Sequence, residues 1–443
     1  MRIFIIKKPN VKKISVILFW LAVWQLGALA VSNSIVLVGP VQVISTFFKD
    51  LLTFEFWKVV FSSLAKIGVG FLIALMLGLL LGTLSNSFDL IKELLAPPIS
   101  ALKSIPVASF VVLLLLWAGS EYLALFVVIL IVFPNIYIGT LKGLENADKK
   151  LLEMAKIFEV SAFCKAIYIY CPAMKNSFYT SLGVSLGMAW KSGVAAEVIG
   201  LPEFSLGSKI YMAKVYLDTA ELLSWTLTVI LISYVFEKAV LYLLTKFFDA
   251  DFSIKRAKTK LKSVRSGLTE NDIFVQYDEQ VVLNHVDISL AAGSITCLMG
   301  QSGCGKTTLI NELIRRHEKD LSVVFQEDRL IEETDVLTNI LLGASNISKE
   351  ECRQIAGKLL PGESLSKKIT ELSGGMKRRV ALLRALLRES DFILLDEPFN
   401  GLDYETRCKA MDVIREYQDG RTVLLVTHNE EDAKKLGASI IEL

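Results

Sequence analysis

The sequence predicts a multi-domain protein: an all-α membrane domain of about six spans over residues 1–248, followed by an α/β P-loop domain over 268–443. Three observations carry that expectation. Hydrophobic residues make up 53% of the 443 and mean hydropathy is +0.49, both high for a soluble protein, yet charged residues still reach 21%. The two characters separate along the chain, apolar runs falling before about Phe248 and charges after it. Finally, Gly300-Gln301-Ser302-Gly303-Cys304-Gly305-Lys306-Thr307-Thr308 lies between a short apolar run, Ser294 to Met299, and a helical one, Leu309 to Ile314. Strand, loop, helix is the setting a phosphate-binding loop requires.

The length exceeds one ordinary domain. A net charge of +2 argues for no nucleic-acid partner. Six cysteines show neither metal nor disulfide spacing, which suits a reducing cytosol or a membrane interior.

In the first half, Arg2, Lys7, Lys8, Lys12 and Lys13 precede the apolar run Ile14 to Val31. A cleaved signal peptide is one reading; without a small-residue cleavage site, and with further spans following, an uncleaved membrane helix is the better one. The remaining expected spans are Val59 to Leu84, roughly Pro106 to Ala118, Tyr122 to Leu141, Phe178 to Ile199 and Trp225 to Phe247. The run after Pro106 is short, and Pro97, Pro98 and Pro106 interrupt its approach. Lys and Arg gather in alternate connections, at Lys92 and Lys103, then from Lys142 to Lys175, then from Lys246 to Arg265. Positive loops face the cytoplasm, so an even number of spans returns the chain there and places the P-loop and both termini on the cytoplasmic side of the cell membrane, with lipid around the helices.

The connection from about 142 to 177 holds an amphipathic run, Leu151 to Glu159, then Ala166 to Tyr170, with a break expected at Pro172. It fits either a helix lying on the membrane or a pair of short helices projecting to dock on the P-loop domain. Inside the fifth span, Lys191 and Glu197 are six residues apart and so not on one helical face; each either pairs with a neighbouring helix or faces a polar path through the membrane. Residues 249–267 read as a short basic tether.

In the second half, Ile273 to Tyr277, Val281 to Leu283 and Val286 to Leu290 read as strand segments, and Tyr277 is placed to stack on a bound adenine. In the P-loop, glycines let successive N–H groups turn inward toward phosphate oxygens, Lys306 reaches the β- and γ-phosphates, and the Thr307 hydroxyl ligates Mg²⁺. Leu321 to Phe325 is a strand ending at Gln326, suited to Mg²⁺ or to orienting the attacking water. Asp391 to Glu397 is a buried strand closing on two carboxylates, Asp396 for the Mg²⁺ shell and Glu397 for polarising that water. Thr422 to His428 is another such strand, its histidine placed for the γ-phosphate. His285 and His317 have no partner pattern and read as surface residues. One segment is left over: Leu372-Ser373-Gly374-Gly375-Met376 opens a strong helix and so builds a second anion-binding helix start. A single copy has no second nucleotide for it, so the expectation is a homodimer in which Ser373, Gly374 and Gly375 close over the ATP held by the other subunit.

These motifs in this order, with Leu395-Asp396-Glu397-Pro398 and Gly401-Leu402-Asp403, resemble an ATP-binding cassette (ABC) ATPase. Gln326-Glu327-Asp328-Arg329-Leu330 and Met376 are similar to the nitrate, sulfonate and taurine uptake group, and Glu153-Met154-Ala155 and Trp190 to Gly200 to that group's permeases. The resemblance implies a type I importer: an ATPase using ATP and Mg²⁺, coupled to uptake of a small solute, anionic or a vitamin precursor, and fed by an extracytoplasmic substrate-binding protein. Departures from the family pattern are Glu159 in place of Gly, Cys171-Pro172 in place of Leu-Pro, a short interval between Lys306 and Gln326, Met376 in place of Gln, and the fusion of permease to ATPase. Rival readings are an export half-transporter, which needs longer cytosolic helices, and a membrane-anchored ATPase that relays force, which tends to have fewer spans and a large outer domain.

Overall fold

The computed structural model describes residues 11–248, 266–277, 280–301, 303–344 and 347–443. The chain divides into two units, and the division is not one cut: residues 1–146 and 174–250 form one, while 147–173 join 251–443 in the other.

The helices of the first half are α1 (Val11–Val31), α2 (Pro40–Leu51), α3 (Phe54–Ser87), α4 (Asp89–Ser104), α5 (Val107–Glu145), α6 (Lys149–Ile157), α7 (Ala162–Lys165), α8 (Cys171–Gly200), α9 (Leu206–Val215) and α10 (Thr219–Phe248). Starts are signalled locally: Pro40 opens α2, and the Thr53 hydroxyl accepts from the Phe56 amide ahead of α3. Among the described residues, four helices are long and apolar enough to cross a membrane: α1, α3, α5 and α10. The expected fifth span falls in α8, where Lys191 and Glu197 interrupt the apolar run. The expected third and fourth spans are the arms of α5, which breaks at Gly119 with φ of 71°. Twelve residues before the break rise only about 18 Å, against a hydrocarbon core of about 30 Å. Phe110, Val111, Leu114 and Leu115 of that arm share one apolar cluster with Leu123, Ala124, Val127 and Ile131 of the next.

The helical unit packs around α3 and α5, where small residues permit close approach. A Cβ on Gly78 would stand 2.6 Å from Ile136, and one on Gly82 2.8 Å from Thr140. Ile67, Phe71, Val128, Val132, Leu182 and Leu186 fill the core between α3, α5 and α8.

The break expected at Pro172 does not occur. Residues Ala166–Tyr170 form a π-turn in which the Cys171 amide donates to the Ala166 carbonyl, and α8 runs on through Pro172. The wider turn accommodates a residue with no N–H and a ring that crowds the preceding turn.

The second unit is an α/β fold. Strands β1 (Leu268–Tyr277) and β2 (Gln280–Leu290) pair antiparallel. The two strands expected at 281–283 and 286–290 are one, with His285 taking φ of 54° where the pairing is irregular. Then come β3 (Ile295–Met299), α11 (Lys306–Arg316), β4 (Leu321–Val324), α12 (Val336–Gly343), α13 (Lys349–Ala356), α14 (Gly374–Leu386), β5 (Phe392–Asp396), α15 (Tyr404–Tyr417), β6 (Thr422–Val426), α16 (Glu430–Leu436) and β7 (Ser439–Glu442). The five later strands form a parallel sheet in the order β4-β5-β6-β3-β7. β4, β5 and β6 are buried throughout, as a parallel sheet covered on both faces demands. Between α11 and β4 the chain has only His317 to Asp320, and among the described residues the antiparallel layer consists of β1 and β2. His317 is not the partnerless surface residue expected: its Nε2 lies 2.8 Å from Glu270, which also pairs with Arg316 at 2.6 Å.

Candidate functional site

The parallel sheet places four strand ends on one edge: β3 leading into Gly300, β4 into Gln326, β5 into Asp396 and Glu397, and β6 into Thr427 and His428. Ligands gather outside the carboxyl ends of such strands.

At the first of these ends, Gly305 caps α11 with φ of 103°, and Gly303 has φ of 88°. A Cβ on Gly305 would lie 2.9 Å from Leu283, so the turn needs glycine for both conformation and space. Lys306 is buried, and its ammonium donates to the Gly300 and Gln301 carbonyls, each at 2.8 Å, with the Cys304 sulfur at 3.7 Å. The cation is thereby held over the loop. Thr307 is exposed and Thr308 half-buried at the first turn of α11. Ser302, and the side chain of Tyr277 with its expected adenine contact, lie outside the described residues.

At the second and third ends, Asp396 is buried, and burial together with the adjacent Glu397 charge raises its pKa above the ordinary aspartate range. A buried carboxylate pushed that way is stabilised by a cation. The Thr307 hydroxyl and the Gln326 amide oxygen are hard donors of the same kind, and such donor chemistry would suit Mg²⁺. Glu397 adopts φ of 48°; its amide donates to the Val426 carbonyl at 3.0 Å, and its Oε1 stands 2.9 Å from His428 Nε2. The structure thus joins Glu397 and His428 directly. The His428 loop is braced from beneath: the buried Asp432 accepts from Thr427 at 2.8 Å and pairs with Arg407.

Arg378, which motif reading passed over, sits between these elements. It is 3% exposed, and its guanidinium donates to the Phe325, Gln326, Asp396 and Glu397 carbonyls and to Asp328. Gln326 itself is exposed.

Ser373 precedes α14 with no side-chain cap bond, and Ser373 and Gly374 are exposed. The first-turn N–H groups of α14 are therefore open at this end. Gly375 packs so tightly on the next loop that a Cβ would stand 2.8 Å from the Gly401 carbonyl.

The segment from 147 to 173 packs in the same unit as these motifs. Met154, Ala155, Ile157 and Phe158 are buried in the core of the unit, and Phe158 faces the guanidinium groups of Arg384 and Arg388 at 4.9 and 5.4 Å. Ion pairs surround it: Lys150 with Glu327 at 2.6 Å, Glu153 with Arg329 at 2.9 Å, and Lys156 with Glu318 at 2.6 Å. α6 ends in a Schellman turn, the Glu159 amide donating to Lys156 and the Val160 amide to Ala155. Glu159 takes the left-handed position at φ of 49°, which accounts for glycine as the family's usual residue there.

In the helical unit, Glu197 is fully buried. Its Oε2 accepts from the Ser63 hydroxyl at 2.9 Å and the Gly207 amide at 3.1 Å, joining α8 to α3 and α9. Lys191 is exposed on a different face of α8.

Two family models match this chain: "ABC transporter" over residues 283–400, and "Binding-protein-dependent transport system inner membrane component" over 74–254. Among curated relatives, the aliphatic sulfonates import ATP-binding protein SsuB 2 of Rhizobium johnstonii is 34% identical over 201 residues, covering 42% of this chain and 80% of that protein. SsuB 1 of Paraburkholderia xenovorans is 36% identical over 183 residues, covering 38% of this chain and 54% of its own length. The present chain thus spans about half the length of that second relative. Among solved structures, a dimeric ATP-binding cassette in a post-hydrolysis state with ADP and Pi is 26% identical, covering 40% of this chain and 92% of its own, with a TM-score of 0.34. Helical unit, sheet-edge site and matched models together define a membrane permease joined to an ATP-binding cassette. The chain belongs to the ABC transporter family, with a binding-protein-dependent transport system membrane component and an ATP-binding cassette fused in one chain.

Proposed function

We propose that this chain is an ATP-driven importer of a small solute, working as two identical copies with a separate extracytoplasmic substrate-binding protein. The observation that carries the reading is the joining of two features in one unit: a phosphate-loop edge bearing Lys306, Asp396 and the Glu397–His428 pair, and the 147–173 segment seated beside Glu327 and Arg329. The relatives named for aliphatic sulfonate import support a sulfonate-like, nitrate-like or taurine-like anion as the solute class.

In this reading the loop amides bind the phosphates, and Lys306 exchanges its loop carbonyls for phosphate oxygens. Thr307, Gln326 and Asp396 would hold Mg²⁺, which would supply charge neutralisation there. Glu397 orients and polarises the attacking water, and His428, hydrogen-bonded to it, holds that carboxylate and reaches the γ-phosphate. The open helix start at Ser373, Gly374 and Gly375 has no nucleotide of its own to serve, which supports its closing over the ATP of a second copy. Ion pairs around α6 then transmit that closure to the permease, with the ATPase and both termini on the cytoplasmic side.

The test uses the full chain in proteoliposomes with its binding protein, measuring ATP hydrolysis and uptake of radiolabelled taurine and alkanesulfonates. Solute-dependent, ATP-dependent accumulation is expected. Hydrolysis with no uptake of any solute that stabilises the binding protein against thermal unfolding would remove the importer reading.

A further inference from the structure

We propose that Arg378 is a positioning residue for ATP hydrolysis, locking the strained Glu397 turn and the Gln326 loop into one register, so that the hydrolytic carboxylate and the seat of the 147–173 segment move together. The inference rests on the ATP-hydrolysing role proposed above.

The pairing of β4 with β5 stops at Val324 and Leu395, just short of both functional segments. Beyond that point the guanidinium bridges the two segments. Its Nη1 donates to the Phe325 carbonyl at 2.6 Å, to Asp328 Oδ1 at 3.0 Å and to the Gln326 carbonyl at 3.3 Å. Its Nη2 donates to the Glu397 carbonyl at 2.8 Å and to that of Asp396, and its Nε to Glu397 at 3.2 Å. A planar fork with five donors can span two strand ends in this way.

Glu397 gains most. Its left-handed backbone is costly for a residue with a Cβ and persists only where surrounding bonds over-determine it. Here the amide is tied to Val426, the carbonyl doubly to Arg378, and the side chain to His428.

The same helix grips the loop a second time. Arg384, fully buried, donates to the Asp328 and Arg329 carbonyls at 3.0 and 2.9 Å. The Arg329 side chain in turn holds Glu153 of α6. One helix, α14, therefore hydrogen-bonds the Glu397 backbone carbonyl at one end and, at the other, the Asp328–Arg329 loop whose Arg329 holds the docking segment, and its own N-terminus is the Ser373 start. Nothing in the spacing of motifs assigns this role, because the partners of Arg378 lie about twenty and about fifty residues away.

The experiment measures ATP hydrolysis by the full chain in lipid nanodiscs, for the parent, Arg378→Lys, Glu153→Ala and the double variant. Lysine keeps the charge but donates from a single atom and cannot hold both segments. Arg378→Lys is expected to lower kcat about tenfold with KM for ATP within about twofold. Glu153→Ala is expected to lower kcat severalfold in the parent and to have almost no further effect beside Arg378→Lys, a non-additivity that a purely structural role would not produce. A parental kcat in Arg378→Lys, or losses that multiply in the double variant, overturns the inference. Should Arg378→Lys fail to fold, Asp328→Asn replaces it, with a smaller loss and the same non-additivity expected, and multiplying losses there overturn it equally. A parent without hydrolysis overturns the ATPase reading and this inference together, whereas an unaffected Arg378→Lys overturns this inference alone.

Discussion

Glu197 and Glu397 are two carboxylates in two regions, and their surroundings differ in kind. Glu197 lies wholly inside the helical unit, on ordinary helical backbone, with donors from Ser63 and Gly207 on two other elements. Glu397 is partly open, on left-handed backbone at a strand end, with an imidazole as its side-chain partner. A group that holds helices together is buried and bonded within regular structure; one that works on a ligand is reachable and held in a conformation its backbone would not choose. The contrast supports a structural role for Glu197 and the proposed hydrolytic role for Glu397 without recourse to motif names.

The comparison breaks most visibly if the two residues respond alike. Glu397→Gln should lower ATP hydrolysis about a thousandfold while retaining nucleotide binding, because the amide keeps the shape but loses the base; filter binding and phosphate release measure the two. Glu197→Ala should instead leave hydrolysis by the folded fraction intact and cost about 3 kcal/mol of stability, since the Ser63 hydroxyl and Gly207 amide lose their acceptor inside the helical unit. Unfolding in mixed micelles by denaturant reads that loss, and an unaltered transition would deny Glu197 its structural role.

Asp396 sharpens the contrast through its proton. Its folded-state pKa is raised, by burial first and Glu397 second. Its contribution to stability is thus present below the unfolded pKa and is lost as pH rises through the folded pKa, above which the ionised carboxylate is the penalised form. Asp396→Asn should then raise the melting temperature of the nucleotide-free protein and abolish the further rise that Mg²⁺ with ATP produces in the parent. The smallest effect belongs to the docking segment: Glu159→Gly should stabilise the second unit by about 1 kcal/mol, because it relieves a left-handed backbone at the end of α6. Thermal unfolding with no gain would mean the turn carries no strain.

Much of the site was legible because its residues sit at fixed distances from strand ends. Gly300, Gln301, the run from Gly303 to Thr308, Gln326, Asp396, Glu397 and His428 all fall on the edge that alternating apolar strands and helices require. What hid from sequence acts across chain distance. Arg378 works through carbonyls, which every residue carries, and Ser63 and Gly207 meet Glu197 only once α3 and α9 have packed. The return of 147–173 to the second unit was one of two open readings of an amphipathic helix, since periodicity marks an apolar face without naming what covers it. The bend at Gly119 and the π-turn before Pro172 escaped for a related reason: an apolar run and a proline signal a change of path but not its geometry.

The central claim is that each hydrolytic centre is shared between two copies. It is tested by co-expressing two differently tagged chains, one carrying Glu397→Gln and the other Ser373→Arg, and purifying the mixed pair in nanodiscs. Each variant alone disables both centres of its own dimer. In the mixed dimer one centre combines the intact Glu397 of one chain with the intact Ser373 of the other, so the account predicts that hydrolysis returns. A mixed dimer as silent as either parent would contradict it.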